Sequence, residues 1–106
     1  MDTSTRDHGS QPLDELMEQW RLKNHDLVDI SEEQLSHKQV QKARKGRQLT
    51  LHLMQKIMRT INAAVLLKLN QEQHAQFVPY AHKQLFNYAK GHDAGWQDPN
   101  RPLMPQ

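Results

Sequence analysis

Ser36-His-Lys-Gln-Val40-Gln-Lys-Ala-Arg-Lys45-Gly-Arg-Gln-Leu-Thr50 decides how this chain is read. The hydroxyl of a residue such as Ser36 accepts from the free N–H groups at a helix start, and a glycine such as Gly46 closes a helix because it enters the left-handed region without a Cβ penalty. Between them Val40 and Ala43 lie three apart and mark a packing side, whereas His37, Lys38, Gln39, Gln41, Lys42, Arg44 and Lys45 are long and polar. The spacing predicts a short cationic helix over 36–45 that reaches outwards. Thr50 then caps the next helix.

In that next helix Leu51, Met54, Ile57, Met58, Ile61, Ala64 and Val65 keep one apolar stripe. With no Pro or Gly from 47 to 78 it is expected to run to about Leu69, with Asn62 a candidate break. Asn70 to His74 reads as a polar joint. Pro79 suits the start of a last helix, in which Leu85, Phe86, Tyr88 and Ala89 supply apolar surface and which Gly91 ends. From 92 onwards Gly95, Pro99, Pro102 and Pro105 predict irregular chain, with Trp96 folded back onto the body.

Upstream, Pro12 suits the first turn of a helix over about 12–21, with Asp14 and Glu15 at the positive end of its dipole and Leu13, Leu16, Met17 and Trp20 on one face. Asn24 is expected to cap a short second helix containing Leu27, Val28 and Ile30, followed by the polar connection Ser31-Glu-Glu-Gln34 and by Leu35 as an inward anchor. Residues 1–11 lack periodicity and read as a flexible tail. The organisation expected is thus a tail over 1–11, a helical domain over 12–69, a helical extension over 70–91 and an irregular tail over 92–106. Repeats, alternating strand patterns and low-complexity tracts are absent.

A length of 106 residues suits one modest core, and the absence of cysteine excludes disulfides, thiolate zinc sites and cysteine nucleophiles. No apolar run is long enough to span a bilayer, and Met1 to Gly9 is too polar for a signal peptide, so no membrane and a cytoplasmic location are expected. Charge is unevenly distributed. Residues 1–33 hold nine acidic residues against three basic, whereas 34–71 hold no Asp or Glu and eight basic residues. Such a stretch sets up a positive field that a polyanion would feel. His8, His25, His37, His52, His74, His82 and His92 show no pair at i, i+3 or i, i+4, so no metal site is expected. No Gly-rich phosphate loop, nucleophile elbow or carboxylate pair with a clear base appears either, so the expectation is a protein that is not an enzyme, with no catalytic residues and no cofactor.

Leu13-Asp-Glu-Leu-Met17, Leu22-Lys-Asn-His-Asp-Leu27, Leu35-Ser-His-Lys-Gln-Val40 and Lys45-Gly-Arg47 resemble successive landmarks of the Cro/repressor-type (XRE-like) helix-turn-helix family over about residues 12–62. The resemblance implies an all-α fold: a compact four- to five-helix bundle with a lambda-repressor-like helix-turn-helix core and a C-terminal helical extension. In that family the positions equivalent to Leu27, Val40 and Ala43 hold the two motif helices at their angle. The eight residues between Leu27 and Ser36 are about two more than the family's compact form, and they lack the small residue usual in that turn.

The resemblance assigns base reading in the major groove to His37, Lys38, Gln41 and Lys42, all able to donate hydrogen bonds. Ser36, Arg44, Lys45 and Arg47 are suited to phosphates, as are Asn24 and His25 at the start of the second helix. The function expected is a sequence-specific DNA-binding transcriptional regulator whose partner is double-stranded DNA. It would bind as a homodimer through surplus apolar surface at Ala63-Ala-Val-Leu-Leu67 with Leu69, or at Phe77–Tyr80 with Leu85–Tyr88. Two alternatives stay open. One is an antitoxin-like or phage or plasmid interaction module that grips a protein partner through residues 77–96; the other is an RNA-binding helical domain, which lacks interleaved aromatics in the basic stretch.

Overall fold

Leu13, Leu16 and Met17 sit on the inner face of α1 (Pro12–Gln19), with Pro12 in its first turn, and the helix closes on Trp20, whose ring is wholly inaccessible. The structure, a computed structural model, describes residues 7–105. Beyond α1 follow α2 (Asn24–Ile30), α3 (His37–Lys45), α4 (Leu51–Leu67), α5 (Gln71–Gln76), α6 (His82–Leu85) and a 3₁₀ turn at Arg101–Leu103. The fold is all-helical, with six α-helices among the described residues rather than the four or five expected.

Around one core α3 lies on α1 and α2, α4 lies on α2 and α6, and α6 returns to α1. Leu13, Met17, Trp20, Leu27, Val40, Ala43, Ile57, Ile61, Val65 and Phe86 are all fully buried in it. The helical stripes read in the sequence therefore converge, each buried aliphatic side chain contributing about 1.5–3 kcal/mol relative to exposure. Thr50 caps α4 as expected, its Oγ1 accepting from Leu53 N at 3.2 Å.

Several expectations are corrected. Asn24 is the first residue of α2 rather than its cap; Asp26 Oδ2 reaches back to accept from Lys23 N at 2.7 Å, which frees the Asn24 amide to point elsewhere. Asn62 does not break α4. Its amide brackets the backbone of Tyr80, accepting from Tyr80 N at 2.8 Å and donating to Tyr80 O at 3.0 Å. The polar joint after Asn70 is helix α5, closed by the reciprocal pair Gln73 N to Asn70 Oδ1 and Asn70 N to Gln73 Oε1, both 2.9 Å. It buries none of its residues, so no apolar period announces it.

Pro79 starts no helix: 77–81 has no regular secondary structure and is extended at both ends, at Phe77 and Ala81, α6 has four residues, and Phe86 leaves it in extended backbone to reach the core. Phe77, Tyr80, Leu85, Phe86 and Ala89 are buried, so residues 77–89 complete the chain's own core, with Val78 left 47% exposed. The tail after 92 is irregular but anchored. Asn100, fully buried, accepts from Val78 N at 2.9 Å and donates to Val78 O at 2.8 Å, while Trp96 folds back edge-on to Tyr80. Trp20 Nε1 donates to Tyr80 Oη at 2.9 Å and Tyr80 donates to Asp98 Oδ2 at 2.6 Å. Burial first, and then that carboxylate, pushes the Tyr80 hydroxyl well above the ordinary phenol range.

Of the tail expected over 1–11, residues 1–6 lie outside the described residues, and Asp7–Gln11 form a strap across the end of α3. Asp7 bridges to Arg47, His8 N donates to Gly46 O at 2.8 Å, and the His8 ring stacks on Tyr88 at 4.3 Å. Gln11 is buried, with Oε1 accepting from Asn87 N at 2.7 Å. Among the described residues no helix is long and apolar enough to cross a membrane.

Candidate nucleic-acid interface

The start of α3 is set by its own sequence. Ser36 Oγ accepts from Gln39 N at 3.1 Å and Gln39 Oε1 accepts from Ser36 N at 3.0 Å, a reciprocal capping box. Its end is equally local. Gly46 adopts φ 94°, ψ 16°, and Arg47 N donates back to Lys42 O at 3.1 Å. In that position glycine is required twice over, since a Cβ would land on the backbone of Gly9 in the strap.

Before α3, the connection 31–35 turns without glycine. Ser31 Oγ accepts from Glu33 N and Leu35 N at 3.2 and 3.1 Å, and Gln34 takes the left-handed φ of 59°. Leu35 is buried as the anchor. The connection thus runs from the end of α2 at Ile30 to the Ser36 cap of α3.

Because Val40 and Ala43 are fully buried, α3 turns His37, Lys38, Gln41, Lys42 and Lys45 into solvent as one stripe. All four expected base-reading residues belong to it, together with one of the phosphate-binding set. Ser36 and Arg47 are exposed at its two ends. His25 is exposed on α2, with Nε2 3.3 Å from Asp26 Oδ1.

Arg44 and Asn24 have internal partners. Arg44 Nε donates to Asp14 Oδ1 at 2.6 Å and Nη1 to Asn24 Oδ1 at 2.8 Å; Asn24 Nδ2 donates in turn to Gln41 Oε1 at 3.0 Å. This chain ties α1, α2 and α3 together behind the exposed stripe. Asp14, read in the sequence as a complement to the α1 dipole, is the residue that was missed; its partner is 30 positions away, and no local signal pairs them.

The acidic residue nearest the start of α3 along the chain is also paired. Glu33 receives both Arg59 Nε and Nη2, at 2.9 and 2.6 Å, and that hydrogen bonding holds its carboxyl below the ordinary carboxylate range. The α3 stripe itself contains no acid. A cleft of about 300 Å³ between α1 and the C-terminal chain, walled by Leu16, Tyr80 and Trp96, contains no residue of α3. Among the described residues no group of three or more His, Asp or Glu side chains is placed to hold a metal ion.

The chain matches no family model, and comparison with curated proteins and with solved structures gives no match.

Proposed function

We propose that this protein is a sequence-specific DNA-binding transcriptional regulator of the Cro/repressor helix-turn-helix type, with α2 and α3 as its motif helices. The observation that carries this reading is the two-sidedness of α3. Its apolar residues are fully buried, and its outer stripe, His37, Lys38, Gln41, Lys42 and Lys45, is exposed and free of acid. A B-DNA major groove admits one α-helix, whose early residues reach base edges while flanking cations sit against phosphates. On this reading His37, Lys38, Gln41 and Lys42 face the bases, and Lys45, Arg47, Ser36 and His25 hold the backbone. Arg44 and Asn24 act through the internal chain instead of facing phosphate.

Binding as a two-fold dimer would draw on the end of α4, where Ala63 is exposed and Leu67 is 73% exposed. Exposed Val78 favours a second reading, an antitoxin-like module that grips a protein partner through residues 77–96. Selection of bound duplexes from a random pool, beside a random single-stranded RNA pool, separates these readings. Lys38→Ala should weaken the selected duplex by about 5- to 150-fold and random DNA much less, corresponding to ~1–3 kcal/mol of base discrimination. Lys45→Ala should weaken both alike and make the salt slope shallower by about one. Equal losses on all duplexes from the Lys38 change would remove the base-reading assignment.

A further inference from the structure

The chain of hydrogen bonds from Asp14 to Gln41 fixes which end of the Gln41 amide faces outwards. Asn and Gln amides are ambiguous, carrying a donor and an acceptor of nearly equal size, but a guanidinium carries only donors. The Asn24 atom 2.8 Å from Arg44 Nη1 must therefore be its oxygen. Its amino group is then the atom that faces Gln41 at 3.0 Å, and the Gln41 atom receiving it must be Oε1. Arg44 is itself held in place by Asp14 at 2.6 Å, so the polarity is imposed from α1 through α2 onto α3.

Gln41 lies on the exposed stripe, and with Oε1 turned to α2 the end left for a ligand is the amino group. The bidentate adenine contact for which glutamine is suited needs both the amino group and Oε1 presented to the groove. An outward amino group offers donors alone. On the major-groove edge guanine alone presents two adjacent acceptors, O6 and N7, to match the two N–H groups of the amide; adenine sets its N7 acceptor beside the N6 donor, thymine offers the single acceptor O4, and cytosine presents the N4 donor.

We propose that Asn24 is a positioning residue for specificity, and that it makes Gln41 a reader of guanine rather than of adenine. This inference rests on the DNA-binding reading above. Asn24→Asp tests it with almost no change of volume. A carboxylate has no N–H to give, so it keeps Arg44 through one oxygen and accepts from Gln41 Nε2 through the other. The Gln41 amide then turns over and presents Oε1.

The experiment uses the full chain and the duplex selected by the unaltered protein, together with every single-base-pair variant of it. Gln41→Ala locates the contacted position as the one at which base preference flattens. There the unaltered chain is expected to favour guanine by about tenfold, Asn24→Asp to shift the preference by a similar factor to adenine or cytosine, and Asn24→Ala to weaken it without reversal. Preferences at all other positions should stay as they were, and thermal unfolding of each variant shows that the fold persists. An unchanged preference in Asn24→Asp overturns the inference and leaves the DNA-binding reading standing. Failure of any duplex to be selected removes both.

Discussion

Replacing Gly46 by alanine should destabilise the fold by about 2–4 kcal/mol, and the loss divides into two parts that can be measured separately. The first is conformational. Gly46 sits at φ 94°, and holding an L-residue in the left-handed region costs roughly 1–2 kcal/mol. The second is steric, because the new Cβ would lie against Gly9 O and 2.6 Å from Gly9 C. Both are backbone atoms, so the strap must move. It would lose the 2.8 Å bond from His8 N to Gly46 O and the stacking of His8 on Tyr88, together about 1–2 kcal/mol.

Urea unfolding of four chains tests this: the full chain and one lacking residues 1–10, each compared with and without the Gly46→Ala substitution. Without the strap only the conformational part remains, so the penalties should be non-additive by about 1–2 kcal/mol. An equal loss in both backgrounds, or a loss below ~1 kcal/mol in the full chain, would refute the reasoning. Since Gly46 ends α3, the same substitution should also lower affinity for a selected duplex by misplacing Lys45 and Arg47.

Tyr80→Phe should cost about 1–3 kcal/mol in urea unfolding, because it leaves the buried Trp20 N–H without its acceptor. At high pH the intact fold should weaken. Burial, chiefly, holds both Tyr80 and Tyr88 protonated beyond the ordinary phenol range, whereas the unfolded chain releases those protons from about pH 10. The folded state then binds more protons than the unfolded one, so stability is level below that pH and falls as pH rises through it. Unfolding midpoints between about pH 8 and 11 check the sign, and Tyr80→Phe should flatten much of the fall. Asn100→Ala should cost about 2–4 kcal/mol in thermal unfolding, since it orphans both polar groups of Val78 and opens a hole at a fully buried site.

Features that depend on neighbours within a turn or two were legible before any fold was known. The Ser36 cap, the Thr50 cap, the Gly46 stop and the stripe of α4 are all set by neighbours a few residues apart, so their signals survive in the bare chain. The outward face of α3 follows from the same period, because burying Val40 and Ala43 leaves Lys38, Gln41 and Lys42 nowhere else to go. Features that depend on distant groups emerged only from packing. Arg44 met Asp14 across 30 positions and Asn24 across 20, pairings that no local pattern announces. Residues 7–11 became a strap because Gly46, Tyr88 and Asn87 together offered partners that no single stretch could supply. Asn62 and Asn100 likewise serve the backbone of the segment before α6, at Tyr80 and Val78, where the same side chains read in isolation signal breaks and loops. Amide and guanidinium groups carry no period of their own. Where they bond is settled only when the apolar faces have brought distant backbone within about 3 Å.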